Sequence, residues 1–178
     1  MDGGDIKLRR TANRRLTNRL AARFITGIPS GRRMAFTRTA MIAASPDRVF
    51  SVLSDPAGAQ RWMPAIQRID SVSPGPFRLG TSWQETRKAG NRIMQSTISV
   101  SSFQPPSTLG LHVEAKAMKG DLSFRLVPKS AGTEVTYEAQ MWGKGFMRLM
   151  TGTINRMMAA EDNDILDRLR TQVEGRRA

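Results

Sequence analysis

Residues 146–173, FMRLMTGTINRMMAAEDNDILDRLRTQV, carry the longest regular apolar pattern of the chain. The apolar side chains recur at steps of three and four, so an α-helix would gather them into one stripe. The stripe comprises Phe146, Leu149, Met150, Ile154, Met157, Met158, Ile165, Leu166, Leu169 and Val173. A continuous helix over this stretch would be about 42 Å long at 1.5 Å per residue. Such a helix needs a large apolar surface, and we expect a curved antiparallel sheet to supply it.

The composition limits the chemistry that this protein can perform. Its 178 residues are enough for one domain with a real core plus an appendage. The chain has no cysteine, which excludes disulfides, a thiol nucleophile and a Cys-based metal site. The single histidine, His112, argues against a His-rich metal centre or a Ser-His-Asp triad. We therefore predict no metal and no cofactor, and we expect a cytoplasmic protein.

The net charge of +13 is concentrated in a basic N-terminal arm, residues 1–33, which holds nine basic and two acidic side chains. Apolar residues recur there every fourth position, so an amphipathic basic helix over 6–25 is one prediction. Such a helix could contact an anionic membrane peripherally or act as a targeting segment. A disordered extension is the third alternative. Nucleic-acid binding has little support, because aromatic interleaving is limited to Phe24.

The rest of the chain, 34–178, predicts seven strands and two short helices before the final helix. Ser45-Pro46-Asp47 and Asp55-Pro56 each combine a capping residue with a proline, as helix starts do. The second of these helices is expected to run through Trp62. Alternating runs separated by Gly- and Pro-rich turns predict an antiparallel meander. The predicted strands are 35–43, 66–73, 81–88, 92–101, 109–117, 121–127 and 134–142.

Three segments near the first helices carry a family resemblance: SPDRVF at 45–50, LSDP at 53–56 and RWMP at 61–64. Together with the strand count and the final helix, they resemble the START/SRPBCC superfamily, in particular its polyketide cyclase/dehydrase-like branch. The resemblance covers about residues 36 to 174. It implies an α+β helix-grip fold, in which a seven-stranded antiparallel sheet curls around the C-terminal helix and leaves a cavity. Proteins of that superfamily include lipid carriers, hormone binders and aromatase/cyclases.

Strand parity indicates which side chains face this cavity, because alternate residues point to the same side of a sheet. Tyr137 is among them, either as a core tyrosine bonded to backbone or water or as a ligand contact. His112 falls on the opposite parity and is expected to face solvent. The predicted ligand-binding residues are Trp62, Trp83, Glu85, Met94, Ser96, Leu111, Val113, Phe124, Tyr137, Met141, Met150, Met157, Met158 and Glu161.

Two acids on apolar faces are candidate catalytic residues together with Tyr137. Glu85 shares its parity with Trp83, so it would lie beneath the helix, unless it pairs with Arg87 on the same face near the rim. Glu161 is the only interruption of the helical stripe, and its neighbours Asp162 and Asp164 are expected to face solvent. If both glutamates face one cavity, they could form an acid/base pair or a polar anchor for a ligand.

Three functions follow as alternatives. The first is a carrier or sensor that binds a small hydrophobic molecule, such as a lipid, polyketide or isoprenoid-like compound, for which clustered methionines give an adaptable wall. The second is an enzyme of the cyclase/dehydratase type. The third is an adaptor that its basic arm recruits to an anionic surface. The sequence itself contains no nucleophile with an adjacent base and no Gly-rich phosphate loop.

Overall fold

The computed structural model of the chain describes residues 36–175. These residues form a seven-stranded antiparallel sheet with a bent C-terminal helix. The sheet and the position of the helix agree with the prediction. The sheet order is β1-β7-β6-β5-β4-β3-β2. Sequential hairpins build it from β2 to β7, and β1 then joins the free edge of β7. The strands are β1 (Phe36–Ile42), β2 (Ile66–Asp70), β3 (Ser82–Ala89), β4 (Arg92–Gln104), β5 (Thr108–Ala115), β6 (Met118–Lys129) and β7 (Gly132–Gly143).

Side-chain alternation gives the sheet one buried face. In β7 every second residue is buried over the whole strand, which is the pattern of a strand with one face on a core. Two irregularities modify the register, one in β2 between Ile66 and Arg68 and one in β4 between Val100 and Ser102. Residues that strand parity predicts to face the cavity, such as Val113, Phe124 and Met141, are buried.

The first predicted helix is present, and the second is much shorter than expected. Helix α1 (Pro46–Leu53) begins as the sequence indicates, with the Ser45 hydroxyl accepting a hydrogen bond from the Arg48 N–H at 3.3 Å. After Asp55 only one 3₁₀ turn forms, Ala59–Arg61. The Asp55 carboxylate does cap the N–H of Gly58 at 3.0 Å. Glycine in the first turn and Pro64 downstream leave too little chain for a stable α-helix.

The C-terminal helix is not continuous. It consists of a 3₁₀ helix (Gly145–Met150), α2 (Thr151–Glu161) and α3 (Ile165–Glu174). The break falls at residues 162–164, three short polar residues (Asp-Asn-Asp) that hydrogen-bond readily to nearby backbone and so favour helix ends. Here α2 closes with the Asp162 N–H bonded to the carbonyl of Met158 at 2.8 Å. The break changes which side chains of this segment face the sheet.

The predicted apolar stripe is buried only in its second half. All four buried residues of the stripe lie in α3: Ile165, Leu166, Leu169 and Val173. Contrary to prediction, Phe146, Leu149 and Met150 are exposed. They lie in the 3₁₀ helix, where side chains three residues apart share one face, so Phe146 and Leu149 project together into solvent.

Two further observations concern the predictions on membranes and domains. Among residues 36–175 no helix is long and apolar enough to cross a membrane. The predicted basic arm, 1–33, and its candidate helix over 6–25 lie outside the described residues.

Candidate functional site

A cavity of about 160 Å³ lies between the sheet and α2. A single ordered water needs only about 10–15 Å³ on the same measure, so the cavity has room for a larger guest. Its wall draws on β2 to β7, on α2, on the first residue of α3 and on the 3₁₀ turn at Ala59–Arg61 with the residues after it. All but five of the lining residues are apolar, and the polar ones are Glu85, Arg87, Ser96, Tyr137 and Glu161.

All but one of the predicted ligand-binding residues lie in this wall. Met150 is the exception, since it lies exposed in the 3₁₀ helix before α2. The predicted residues that line the cavity are Trp62, Trp83, Glu85, Met94, Ser96, Leu111, Val113, Phe124, Tyr137, Met141, Met157, Met158 and Glu161. The predicted ligand-binding set did not include ten other lining residues: Ala59, Met63, Ile66, Arg87, Ile98, Ala115, Met118, Leu122, Ile154 and Ile165. Strand alternation could have added some of them, because Ile98 and Leu122 point to the same side of the sheet as residues in the predicted set.

Glu85 is buried beneath the helix and also pairs with Arg87, so the two alternatives predicted for this acid occur together. Glu85 Oε1 and Arg87 Nε are 2.9 Å apart, and both side chains line the cavity. The Nε–H does not point at a hydrogen-bond acceptor, so the contact is an ion pair without a hydrogen bond through that atom. Burial lowers the pKa of Arg87, but the carboxylates of Glu85, Asp162 and Glu161 raise it above its ordinary value. Arg87 therefore keeps its positive charge beside the carboxyl groups of Glu85, Asp162 and Glu161.

Tyr137 donates a hydrogen bond to a residue that the sequence analysis placed in solvent. Its hydroxyl lies 2.8 Å from Asp162 Oδ2, and both side chains are buried. The tyrosine ring stacks on Phe124 with centroids 4.8 Å apart and meets Phe36 edge-on. The prediction for Asp162 was wrong because the helix break turns it inward, next to Glu161, where a regular helix would turn it away.

Burial governs the protonation of the acids at this end of the cavity. Burial raises the pKa of Asp162, while Arg87 and the Tyr137 hydrogen bond act in the opposite direction without cancelling it. Burial also raises the pKa of Glu161, against the lowering effect of Arg87. The pKa of the Tyr137 hydroxyl is raised well above its ordinary value by burial and by the neighbouring Asp162 charge. Tyr137 is thus a proton donor in its hydrogen bond throughout the neutral range.

We call Glu85, Arg87, Tyr137, Glu161 and Asp162 the polar cluster. With every group in its ordinary charge state it holds three carboxylates and one guanidinium. Four members line the cavity, and Asp162 lies behind Tyr137 as its hydrogen-bond acceptor. Chemically the cluster can offer a hydrogen-bond donor, an acceptor and a carboxyl group whose pKa is raised.

The outer face of the sheet holds the only histidine, as predicted. His112 Nδ1 lies 2.7 Å from Asp121 Oδ1, and Nε2 lies 3.5 Å from Glu114 Oε2. None of these side chains lines the cavity. Within residues 36–175 no group of three or more His, Cys, Asp and Glu side chains is arranged to hold a metal ion.

Solved structures of similar fold cover about four fifths of the chain. TTHA0849 from Thermus thermophilus superposes with a TM-score of 0.66 at 14% identity, covering 80% of this chain and 98% of that one. The Zhui aromatase/cyclase from Streptomyces sp. R1128 gives a TM-score of 0.65 at 17% identity, covering 80% and 95%. Ara h 8.0201 gives 0.62 at 15% identity, covering 79% and 97%. At these identities the likeness establishes the fold alone.

Sequence comparison adds a partial relative and a family assignment. Rv2574, an uncharacterized protein of Mycobacterium tuberculosis (strain ATCC 25618 / H37Rv), is 38% identical over 47 residues, which are 26% of this chain and 28% of that protein. The sequence profile of one family matches residues 33–174, which include every strand and helix described above. The chain belongs to the family described as polyketide cyclase / dehydrase and lipid transport.

Proposed function

We propose that this protein binds a small hydrophobic molecule in the cavity between the sheet and α2 and acts as its carrier or sensor. Lipid, polyketide and isoprenoid-like compounds are the candidate classes. The cavity carries the proposal, because it has room for more than ordered water and its wall is apolar apart from a few polar side chains. A mostly apolar wall with a few convergent polar groups is the usual form of a small-molecule site.

The wall is suited to ligands of varied shape. Six methionines line it: Met63, Met94, Met118, Met141, Met157 and Met158. Their side chains are unbranched and polarizable, so they can fill the space around different guests. One of them, Met157, is largely exposed although it lines the cavity, so the wall is thin at that point.

The polar cluster favours a ligand whose polar group is neutral. Arg87 is already paired with Glu85, and Glu161 and Asp162 add further carboxyl groups nearby. A ligand carboxylate or phosphate would bring another negative charge to this buried group without a free cation to receive it. A hydroxyl or carbonyl group could instead hydrogen-bond to Glu161 or to the Arg87 guanidinium. We therefore place alcohols, phenols and ketones ahead of fatty acids.

Native mass spectrometry of the purified full chain, followed by organic extraction, tests the carrier function. We expect a co-purifying hydrophobic mass in the wild-type protein. Ala115→Phe, which puts a ring into the cavity, should lose this mass, and Ala160→Phe, at an exposed site on α2, should retain it. The unfolding midpoint of each variant checks that the fold survives. Equal occupancy in both variants, or an empty wild-type protein, would contradict the proposal.

A second candidate function is acid/base catalysis of the cyclase or dehydratase type. The observation in its favour is that Glu161 combines a raised pKa with a place in the cavity wall, which Tyr137 also lines. Under this alternative Glu161 would exchange protons with a carbonyl compound, and Tyr137 would hydrogen-bond to its oxygen. Incubation of the protein with the extracted compound should then produce a species lighter by one water. Glu161→Gln should abolish that product while binding persists, whereas no mass change with wild type leaves the carrier function.

A further inference from the structure

Four apolar side chains at the start of the C-terminal segment are exposed and close together in sequence. Phe146 is 83% exposed, Leu149 81%, Met157 63% and Met150 43%. They lie in the 3₁₀ helix Gly145–Met150 and in α2, which follows it without a gap. Apolar side chains this exposed are ordinary singly, but four of them within residues 146–157 indicate a contact surface. We call these four residues the apolar patch.

The apolar patch lies at the end of the sheet where the cavity is found. The strand registers bring the β3–β4 turn, the β5–β6 turn and the end of β7 to one end of the sheet. The cavity residues Met94 and Met118 belong to this end, and the 3₁₀ helix begins two residues after β7 ends. Met157 belongs both to the apolar patch and to the cavity wall. The exposed surface and the cavity are therefore continuous through Met157.

The stretch of chain that carries the apolar patch contains basic residues and no acidic ones. No acidic residue occurs between Glu138 and Glu161, whereas this interval contains Lys144, Arg148 and Arg156. Lys144 forms an ion pair with Glu114. The guanidinium groups of Arg148 and Arg156 are exposed and form no ion pair or hydrogen bond with residues 36–175. Two cations without an acidic partner in this part of the chain thus flank four exposed apolar side chains.

We propose that the apolar patch, with Arg148 and Arg156, docks on the surface of an anionic lipid membrane. Exposed apolar side chains flanked by arginines match a helix that lies in a membrane interface, with its apolar side among the acyl chains and its cations at the headgroups. A protein partner fits less well, because four apolar side chains are far fewer than the roughly 20–30 residues that each side of a standard protein interface contributes. Docking at this end would bring the cavity wall to the lipid surface.

Flotation of the full chain with vesicles tests the docking surface. The vesicles contain phosphatidylcholine alone or phosphatidylcholine with phosphatidylglycerol, at low and at high salt. We expect binding only to the anionic vesicles, and weaker binding at high salt. The double variant Phe146→Ser/Leu149→Ser should bind at least about tenfold more weakly, because both side chains lose their apolar contact. Arg148→Glu/Arg156→Glu should bind more weakly at low salt.

Matched controls come from the opposite end of the sheet. Val72 and Leu79 are also exposed apolar residues, so Val72→Ser/Leu79→Ser removes exposed apolar surface away from the apolar patch. Arg48→Glu/Arg78→Glu reverses two exposed charges there. Both controls should bind as the wild-type protein does. A further variant replaces the arginines of the arm, 1–33, by glutamine, and we expect its binding to remain sensitive to Phe146→Ser/Leu149→Ser.

Three results would overturn the proposal. One is unchanged vesicle binding in Phe146→Ser/Leu149→Ser. Another is binding that vanishes with the arm arginines while the apolar-patch variant binds normally, which would assign docking to the arm. The third is a dimer in sedimentation that Phe146→Ser/Leu149→Ser dissociates, which would assign the apolar patch to a second copy of the chain. The test does not depend on the proposed ligand, because the residues that it changes, Phe146, Leu149, Arg148 and Arg156, do not line the cavity.

Discussion

Helices α2 and α3 have 11 and 10 residues and are separated by only three, yet they differ in how they meet the sheet. α3 contributes four fully or nearly buried side chains to the core, whereas none of the residues of α2 is buried. α2 instead supplies Ile154, Met157, Met158 and Glu161 to the cavity wall. The C-terminal segment thus consists of one helix that packs into the core, α3, and one that bounds the cavity, α2.

The difference shows how a single apolar stripe can serve two purposes. Both helices have apolar residues at helical spacing, but only one of them packs them fully against the core. Under α3 the space is filled by side chains, and under α2 part of it remains open. The break at residues 162–164 separates the two helices, and there Asp162 lies within hydrogen-bond distance of Tyr137. We infer that folding stability depends mainly on α3, and that ligand exchange depends mainly on α2.

Truncating one apolar side chain in each helix should separate the two contributions. Leu169 in α3 is fully buried, so Leu169→Ala leaves a cavity and should lower the free energy of unfolding by about 2–5 kcal/mol. Met157 in α2 is mostly exposed, so Met157→Ala should change it by less than about 0.5 kcal/mol. Urea denaturation monitored by tryptophan fluorescence measures both. Similar losses for the two variants would show that α2 is also part of the structural core.

Loss of the hydrogen bond between Tyr137 on β7 and Asp162 at the helix break should lower the free energy of unfolding by an intermediate amount. Tyr137→Phe keeps the stacked ring but leaves the buried Asp162 carboxyl without its donor, so we expect a loss of about 1–3 kcal/mol. Asp162→Asn retains an oxygen that can accept from the tyrosine and should cost less. Thermal and urea unfolding of both variants provide the comparison. If Tyr137→Phe is as stable as the wild-type protein, this hydrogen bond does not fix the bend.

The raised pKa of Asp162 predicts a smaller, pH-dependent effect. Burial raises this pKa, so the folded protein binds the proton more tightly than the unfolded chain does. The resulting stabilisation is complete below the ordinary value of 3.8 and is lost as the pH rises through the raised pKa. Asp162→Asn lacks this titration. The difference in unfolding free energy between variant and wild type should therefore shift in favour of Asp162→Asn from about pH 4 to about pH 7. A constant difference would contradict the assignment.

Most of the fold could be predicted because its signals are local. Ser45-Pro46-Asp47 contains its own helix start, and β7 contains its own alternation, so neither needs knowledge of distant residues. Strand alternation also predicts residues of the cavity wall, because a strand that buries Phe124 must turn Leu122 to the same side. Trp83 and Glu85 follow by the same rule.

The bend and its consequences could not be predicted by periodicity. Apolar spacing continues in phase across residues 162–164, so the stripe suggests one helix, although three short polar residues in a row were a signal of a break. Asp162 faces inward at the helix break and accepts a hydrogen bond from Tyr137, 25 residues away in the chain, and a periodic pattern records neither fact. The exposure of Phe146 likewise depends on where the sheet ends, which no pattern within 146–173 records.

Hydrogen exchange of the backbone amides tests the division between α2 and α3 most directly. Mass spectrometry of the full chain in native buffer would follow peptides from the two helices. Since α3 has four buried side chains and α2 has none, we predict that α3 amides exchange only with global unfolding and α2 amides exchange orders of magnitude faster. Equal protection of the two helices, or faster exchange in α3, would contradict the account.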